Sequence, residues 1–484
     1  MQKATGIISL FFSVFLAIPA FGSACSAFIE SEEYTSAFVA CSKEANDGDA
    51  GAQANLAFLY AQGKGIEQSY AEAVDWYRRA AEQGEFTAQN SLALMYAEGQ
   101  GLSQDYAEAV RWFRRAAEQG YALAQYNLGL LHYEGQGVTQ DYAQAESWYR
   151  LAAIQGYAPA QYNLGYLYRE GKGVPQDHGE AVKWFRKAAE QGIPQAQVDI
   201  AYAYAEGRGI AKNYYEAVKW YRAAAEQGHA LAQNSLGLLF AEGEGVSQDY
   251  AEAVIWFRKA ADQGDALAQH NLGFLYAEGT GVHRDYSEAA KWYELAAAQG
   301  EAPAQYHLAY LYIEGKGVEQ DYEAAAKWFR QAAEQGHASA QYNLGYLYSK
   351  GEGVAQNHEK AIKWFRKAAE QEYLPAQEAM KIYPRNAGHC PRLPPGKEFG
   401  FSIQDYLNNP EIGKGAAAYM DRKYGDAERY FSAFLQRADE SSVHEGLRTY
   451  AASGLFSTLC ELGKHEAAAR ISRQYRVPVV TRAE

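Results

Sequence analysis

The sequence predicts an all-α solenoid built from repeated helix pairs, and three periodicities predict it. All nine tryptophans, Trp76, Trp112, Trp148, Trp184, Trp220, Trp256, Trp292, Trp328 and Trp364, follow one another at an unbroken interval of 36 residues. A glutamine recurs with the same period from Gln53 to Gln377, and a helix-capping residue recurs from Ser69 to Asn357. Such a period marks a stacked array, in which each unit needs its neighbours to bury an apolar face.

The chain opens as an export signal. Met1-Gln2-Lys3 is followed by an apolar stretch from Ile7 to Ile18 and by the small residues of Pro19-Ala20-Phe21-Gly22-Ser23-Ala24, with cleavage after Gly22 or Ala24. The apolar stretch is shorter than the roughly 20 residues of a spanning helix, and nothing later reaches that length. Residues 1–24 are therefore read as a signal peptide, and the mature chain as exported, either periplasmic or secreted. A membrane attachment, as an outer-membrane lipoprotein, would require Cys25 to become a lipid-modified first residue. Residues 25–48 are expected to cap the array. Tyr34 to Gly48 align with the second helix of a unit but place Ala40 where Trp stands elsewhere.

Residues 49–384 hold nine 36-residue units and one final first helix. In a first helix, Gln125, Leu128, Gly129, Leu131 and His132 follow helical spacing, and Gly135 with Gly137 breaks it. The second helix starts at an N-cap: Ser69, Asp105, Asp141, Asp177, Asn213, Asp249, Asp285, Asp321 and Asn357. Seven of these have Glu or Gln three residues on, as in Asp105 with Glu108, which predicts a reciprocal capping box. Ala73, Trp76, Tyr77, Ala80 and Ala81 then form one stripe, whose small residues let helices approach while the Trp fills the space between pairs. Gly84 and its equivalents end this helix, and Pro159 and Pro303 fall where a next helix begins and a missing N–H does no harm.

Beyond the last unit, Glu372 replaces the terminal Gly and Pro375 to Tyr383 supplies the final first helix. Residues 385–402, rich in Pro and Gly, read as a linker. Residues 403–484 read as a helical region with two hairpin patterns.

Composition narrows the function. Hydrophobic residues make up 48% and charged residues 21%, enough for a packed core. The net charge is -14. Residues 385–484 carry 14 Lys and Arg against 12 Asp and Glu, which leaves 31 against 47 in the remainder, so the acidity belongs to the repeats. An acidic surface repels phosphate backbones, so nucleic acid is excluded as a partner. The four cysteines fall as Cys25 with Cys41 and Cys390 with Cys460, one pair at each end of the array, which in an exported chain reads as two disulfides. His389, Cys390, Cys460 and His465 also supply zinc-type ligands.

Catalytic spacing is missing. There is no H-E-x-x-H, no G-x-x-x-x-G-K-[ST] and no G-x-S-x-G, so no catalytic residue, resident metal or cofactor is assigned. The G-x-G of every unit is a connector between helices, with no strand before it. The eleven histidines share no period and read as ordinary helix residues. Carboxylates beside the turns, such as Glu98 and Glu134, form either a cation ladder or a solvated edge. A more specific signal comes from one side of the first helix, where residues change from unit to unit. These positions read Tyr162, Tyr166 and Arg169 in the fourth unit, His270, Phe274 and Ala277 in the seventh, Tyr306, Tyr310 and Ile313 in the eighth, and Tyr342, Tyr346 and Ser349 in the ninth. Tyr joins large apolar area to a polar tip, which suits recognition of protein or sugar; the same rings could equally pack between successive helices.

The segments AQxxLGxLYxxG, GVxQDYxxA and WxRxAAEQG, repeated without a gap from about Asp49 to Gln371, resemble the Sel-one-like repeat (SLR), a relative of the tetratricopeptide repeat. Ala416, Tyr419, Tyr424, Gly425, Ala427 and Phe431 resemble a degenerate tetratricopeptide pair. The resemblance implies a right-handed superhelical solenoid whose first helices line a concave groove, used as an adaptor, often at the bacterial envelope. The variable residues would then coat that groove, and the function implied is an exported scaffold holding a protein partner. Two other classes remain: a carbohydrate-binding component of polysaccharide export, and a β-lactamase-type hydrolase. Members given the latter label carry a cysteine pair in nearly every unit, and the repeat body here has none.

Overall fold

The computed structural model describes residues 23–382, 414, 424–439, 450–452 and 455 of the chain. Among the described residues helices are the only regular elements. A short α1 (Ala24–Glu30) and α2 (Tyr34–Asn46) precede the pairs α3 (Ala50–Gln62) with α4 (Tyr70–Glu82), α5 (Phe86–Glu98) with α6 (Tyr106–Glu118), α7 (Ala122–Glu134) with α8 (Tyr142–Ile154), and α9 (Ala158–Glu170) with α10 (His178–Glu190). Then come α11 (Pro194–Glu206) with α12 (Tyr214–Glu226), α13 (Ala230–Glu242) with α14 (Tyr250–Asp262), α15 (Ala266–Glu278) with α16 (Tyr286–Ala298), α17 (Ala302–Glu314) with α18 (Tyr322–Glu334), and α19 (Ala338–Lys350) with α20 (His358–Ala369). A final first helix, α21 (Leu374–Ile382), and α22 in the tail (Tyr424–Asp439) complete the order. The chain divides into two compact units, Met1–Ala268 and Gln269–Glu484. Each contains the paired helices of a repeat solenoid, with each helix packing on the next from α3 to α14 in the first and from α16 to α21 in the second.

Local chemistry explains the boundaries. Gly135 and Gly137 adopt φ of +76° and +70°, and a Cβ on Gly137 would stand 2.4 Å from the Tyr106 backbone of the preceding pair. Only glycine serves there. Asp105 Oδ1 then accepts from the N–H groups of Ala107 and Glu108 at 2.9 and 3.1 Å. The reciprocal half of the expected capping box is not made. The Asp105 N–H donates instead to the Tyr96 carbonyl at 2.9 Å, as those of Ser69, Asp141 and Asn213 do to Tyr60, His132 and Tyr204. The close return of the turn brings a helix carbonyl to the cap before the Glu side chain can reach it, and Glu108 pairs with Arg111 at 2.8 Å.

The recurrent glutamine turns out to be a clamp. Gln89 Nε2 donates to the Ala81 carbonyl at 3.1 Å, and its Oε1 accepts from Gln119 Nε2 at 2.8 Å. The same side-chain pair forms in each unit, from Gln83 with Gln53 to Gln371 with Gln341. A buried amide satisfied on both ends costs little, whereas half-satisfied it would be penalised.

The core adds a second ring to the expected Trp. The residue after the Trp shares the interior with it: Tyr77, Phe113, Tyr149, Phe185, Tyr221 and Phe257 in the first unit, and Tyr293, Phe329 and Phe365 in the second, are all buried, as are Trp112, Trp184 and Trp256. Trp76, Trp148, Trp220, Trp292, Trp328 and Trp364 are half-buried, and Trp148, Trp220 and Trp328 pack against cores that include the ring of the preceding pair. Basic side chains cover several of the indole faces, Arg79 lying 4.4 Å from the Trp76 ring and Lys259 4.0 Å from Trp256. Glycine in the first helix makes room for the core ring, since a Cβ on Gly165 would meet Phe185 at 2.8 Å.

At the start, the buried sulfurs of Cys25 and Cys41 are bonded, tying α1 to α2. Helix α2 packs on α3 in the place of a second helix. In the tail, Phe431, Phe434 and Leu435 of α22 are buried. Residues 1–22 of the expected signal peptide (1–24), the expected linker, Cys390 with Cys460, and the remainder of the expected tail hairpins lie outside the described residues.

Candidate functional site

The variable residues of the first helices divide by register. Tyr162 is 0% exposed, with its ring 5.6 Å from Phe185. Tyr306 packs 5.8 Å from Phe329, Tyr342 5.5 Å from Phe365 and His270 5.8 Å from Tyr293. These four positions are wedges between a first helix and the core ring of its own pair. Four residues on, the side chains point away from the core: Phe274 and Tyr310 are each 44% exposed, and Tyr166 and Tyr346 are half-buried. In the first unit the same register leaves Tyr202 36% and Leu238 37% exposed, whereas Phe58, Leu94 and Leu130 of the first three repeats are buried. The sequence grouped both registers because four residues is close to one helical turn and places them on one side.

Arg169 is neither core nor open surface. Its Nη1 meets Asp199 Oδ1 at 2.7 Å and its Nε meets Glu170 at 2.8 Å, while the guanidinium lies 5.0 Å from the Tyr166 ring and 5.6 Å from Phe185. Burial opposes the charge, but Asp199 and Glu170 outweigh it and hold the group above its ordinary pKa. Arg169, Asp199, Phe185, Val198, Tyr202 and Arg208 line a cleft of about 260 Å³.

Sequence reasoning missed a histidine cluster in the second unit. His270 and His307 stack at 5.4 Å, His307 lies 5.3 Å from Tyr293 with the rings 15° apart, and His337 stacks on Tyr306 at 4.8 Å. Burial, with His270 and His337 beside it, pulls His307 down to about 4. The three histidines share no period because they sit at three different repeat positions. Their meeting could be foreseen only by folding the units together. Among the described residues no group of three or more His, Cys, Asp or Glu is arranged to hold a metal ion.

The arrangement thus presents apolar and aromatic side chains, Tyr202, Leu238, Phe274 and Tyr310 among them, on the first-helix face. Nine segments, residues 50–85, 87–121, 122–157, 158–193, 194–229, 230–265, 266–301, 302–337 and 338–373, match the Sel1 repeat. The structure is similar to that of a protective antigen present in uropathogenic Escherichia coli strains and displaying an SLR fold, with a TM-score of 0.61 and 31% identity, covering 92% of this chain and 99% of that one. It is also similar to a Sel1 repeat protein from Oxalobacter formigenes, with a TM-score of 0.53 and 36% identity over 64% of this chain and 90% of that one. Comparison with curated proteins gives no match. With its repeats matched unit by unit and its helix pairs stacked in the same way, the chain belongs to the Sel1 repeat family.

Proposed function

We propose that the protein is an exported scaffold that holds a protein partner against its first-helix face. Sel1 repeat proteins mediate protein–protein interactions, and the family is generally non-enzymatic. The observation that carries the reading is the exposure of Phe274 and Tyr310, large aromatic side chains held outward at equivalent positions of adjacent repeats. Rings of this kind anchor interfaces because they bury much area with few rotatable bonds. Export is supported by the Cys25–Cys41 bond, which suits an oxidising compartment. That bond also occupies the sulfur a lipid would need, which favours a mature chain without an anchor. Among the described residues no helix is long and apolar enough to cross a membrane. The similar Escherichia coli protein is an antigen, in keeping with an exported role.

The test is crosslinking in intact cells followed by identification of the captured species. Phe274→Ala with Tyr310→Ala should abolish capture with little change in melting. Capture at the native level would overturn the reading, and so would recovery of a glycan in place of a protein.

A further inference from the structure

The two turn glycines of each repeat enclose one residue, and where that residue is a cation it sits over aromatic rings. Lys64 Nζ lies 4.6 Å from the Tyr34 ring and 5.5 Å from Phe58, and donates to the Tyr34 hydroxyl at 3.1 Å. Lys172 lies among Tyr133, Tyr142 and Tyr166, at 5.1, 5.4 and 5.3 Å. Arg208 lies 5.4 Å from Tyr202, and Lys316 5.4 Å from Tyr286. Apart from Tyr133, at the end of the preceding first helix, the rings come from two places: the first residue of the preceding second helix, and the same register of the repeat's own first helix as Tyr166 and Tyr310. The fold therefore builds a seat for a cation, and four repeats fill it from within.

In the ninth repeat the rings remain and the charge reverses. Tyr322 and Tyr346 occupy the two ring positions, and the enclosed residue is Glu352. The turn closes on Tyr322, where a Cβ on Gly353 would overlap the Tyr322 carbonyl, and so holds Glu352 beside it; burial, then the charges of Glu352, Tyr342 and Tyr322, push the Tyr346 hydroxyl above its ordinary pKa. Lys350 reaches only to 5.9 Å from the Tyr346 ring, and among the described residues Glu352 has no ion-pair partner. The sixth repeat, which carries Glu244, is different, because Lys212 lies 4.5 Å from Tyr214 and supplies the cation itself.

We propose that Tyr322, Tyr346 and Glu352 seat a Lys or Arg side chain from a basic segment of the partner, in the place that Lys64, Lys172, Arg208 and Lys316 take elsewhere. The proposal rests on the first-helix face being the binding face. A carboxylate beside two aromatic faces complements a cation by charge and by ring quadrupole. The acidic repeats would draw such a segment in.

The test uses the full chain and a fluorescein-labelled peptide of alternating Arg, Lys and Gly at physiological ionic strength, beside the same peptide with citrulline and norleucine for Arg and Lys. Glu352→Lys fills the seat from within, with the residue the fold already accepts at positions 64, 172 and 316. Glu359→Lys makes the same charge change at a nearby exposed site. Glu352→Lys should weaken the basic peptide by about tenfold and Glu359→Lys by less than about twofold, with the neutral peptide bound by neither. Equal losses, no loss, or no binding by the native chain would each overturn the proposal. Partner capture by the Phe274→Ala, Tyr310→Ala protein reports separately: capture lost there while Glu352→Lys leaves the peptide bound removes the seat and keeps the face, and capture retained there removes the face itself.

Discussion

His307 shows how a single departure from the repeat acquires a property. Its position is Asn in the flanking units, at Asn271 and Asn343, yet here a ring stacks between His270 and Tyr293. The folded pKa of about 4 lies below the unfolded value near 6.5, so the unfolded chain takes up the proton first as the medium is acidified. The stability held above pH about 6.5 is thus lost progressively as pH falls toward 4, by up to about 3 kcal/mol. His307→Asn should flatten the fall of the urea midpoint across that window, and an undiminished fall would place the acid sensitivity elsewhere. A second contrast divides the variable residues. Tyr162→Ala should cost about 3–5 kcal/mol as a buried ring is lost, while Tyr310→Ala should stay within about 0.5 kcal/mol, both read from chemical melts. The sequence marked both tyrosines from their shared side of the helix. It could not separate them, because the difference lies in how far the ring of the second helix reaches along the first.

At the scale of the helix, boundaries were legible and partners were not. The N-cap side chains, the turn glycines and the prolines each solve a backbone problem within a few residues, so the sequence shows them directly. Asp321→Ala, removing acceptors for the Glu323 and Ala324 N–H groups, should cost about 1 kcal/mol in a thermal melt. The Glu of the capping box was misassigned because a carbonyl nine residues upstream, brought back by the turn, takes the donor. The Trp drew attention as the rarer and larger residue, and the Tyr or Phe that follows it, buried in every repeat, was passed over. Glu372 shows the rule broken. It holds φ of +61° where other units have glycine, and Glu372→Gly should raise stability by about 1 kcal/mol, measured as a higher melting temperature.

Over the whole molecule, the period alone disclosed the class of fold, because each unit repeats the same contacts and a pattern seen once is confirmed eight more times. The ends carry no such redundancy. At the start, the bond between Cys25 and Cys41 closes a loop of 16 residues, and Cys41→Ser should lower stability by about 3 kcal/mol, as should a reductant acting on the native chain. Agreement between variant and reduced protein in a denaturant melt would assign the loss to the bond. The candidate binding face was legible only as variation against a constant background. Which residues project from it depended on the second helix, and the histidine cluster on adjacent repeats, so both needed three dimensions.

The paired glutamines carry an implication for how such a chain can change length. Within each compact unit the amides accept from one side and donate to the other in the same way from repeat to repeat, so the joint does not record which repeat it belongs to. Excising or duplicating one complete period would leave two mating ends already matched. Reach along a ligand could then be adjusted in whole steps, independently of the side chains that choose it.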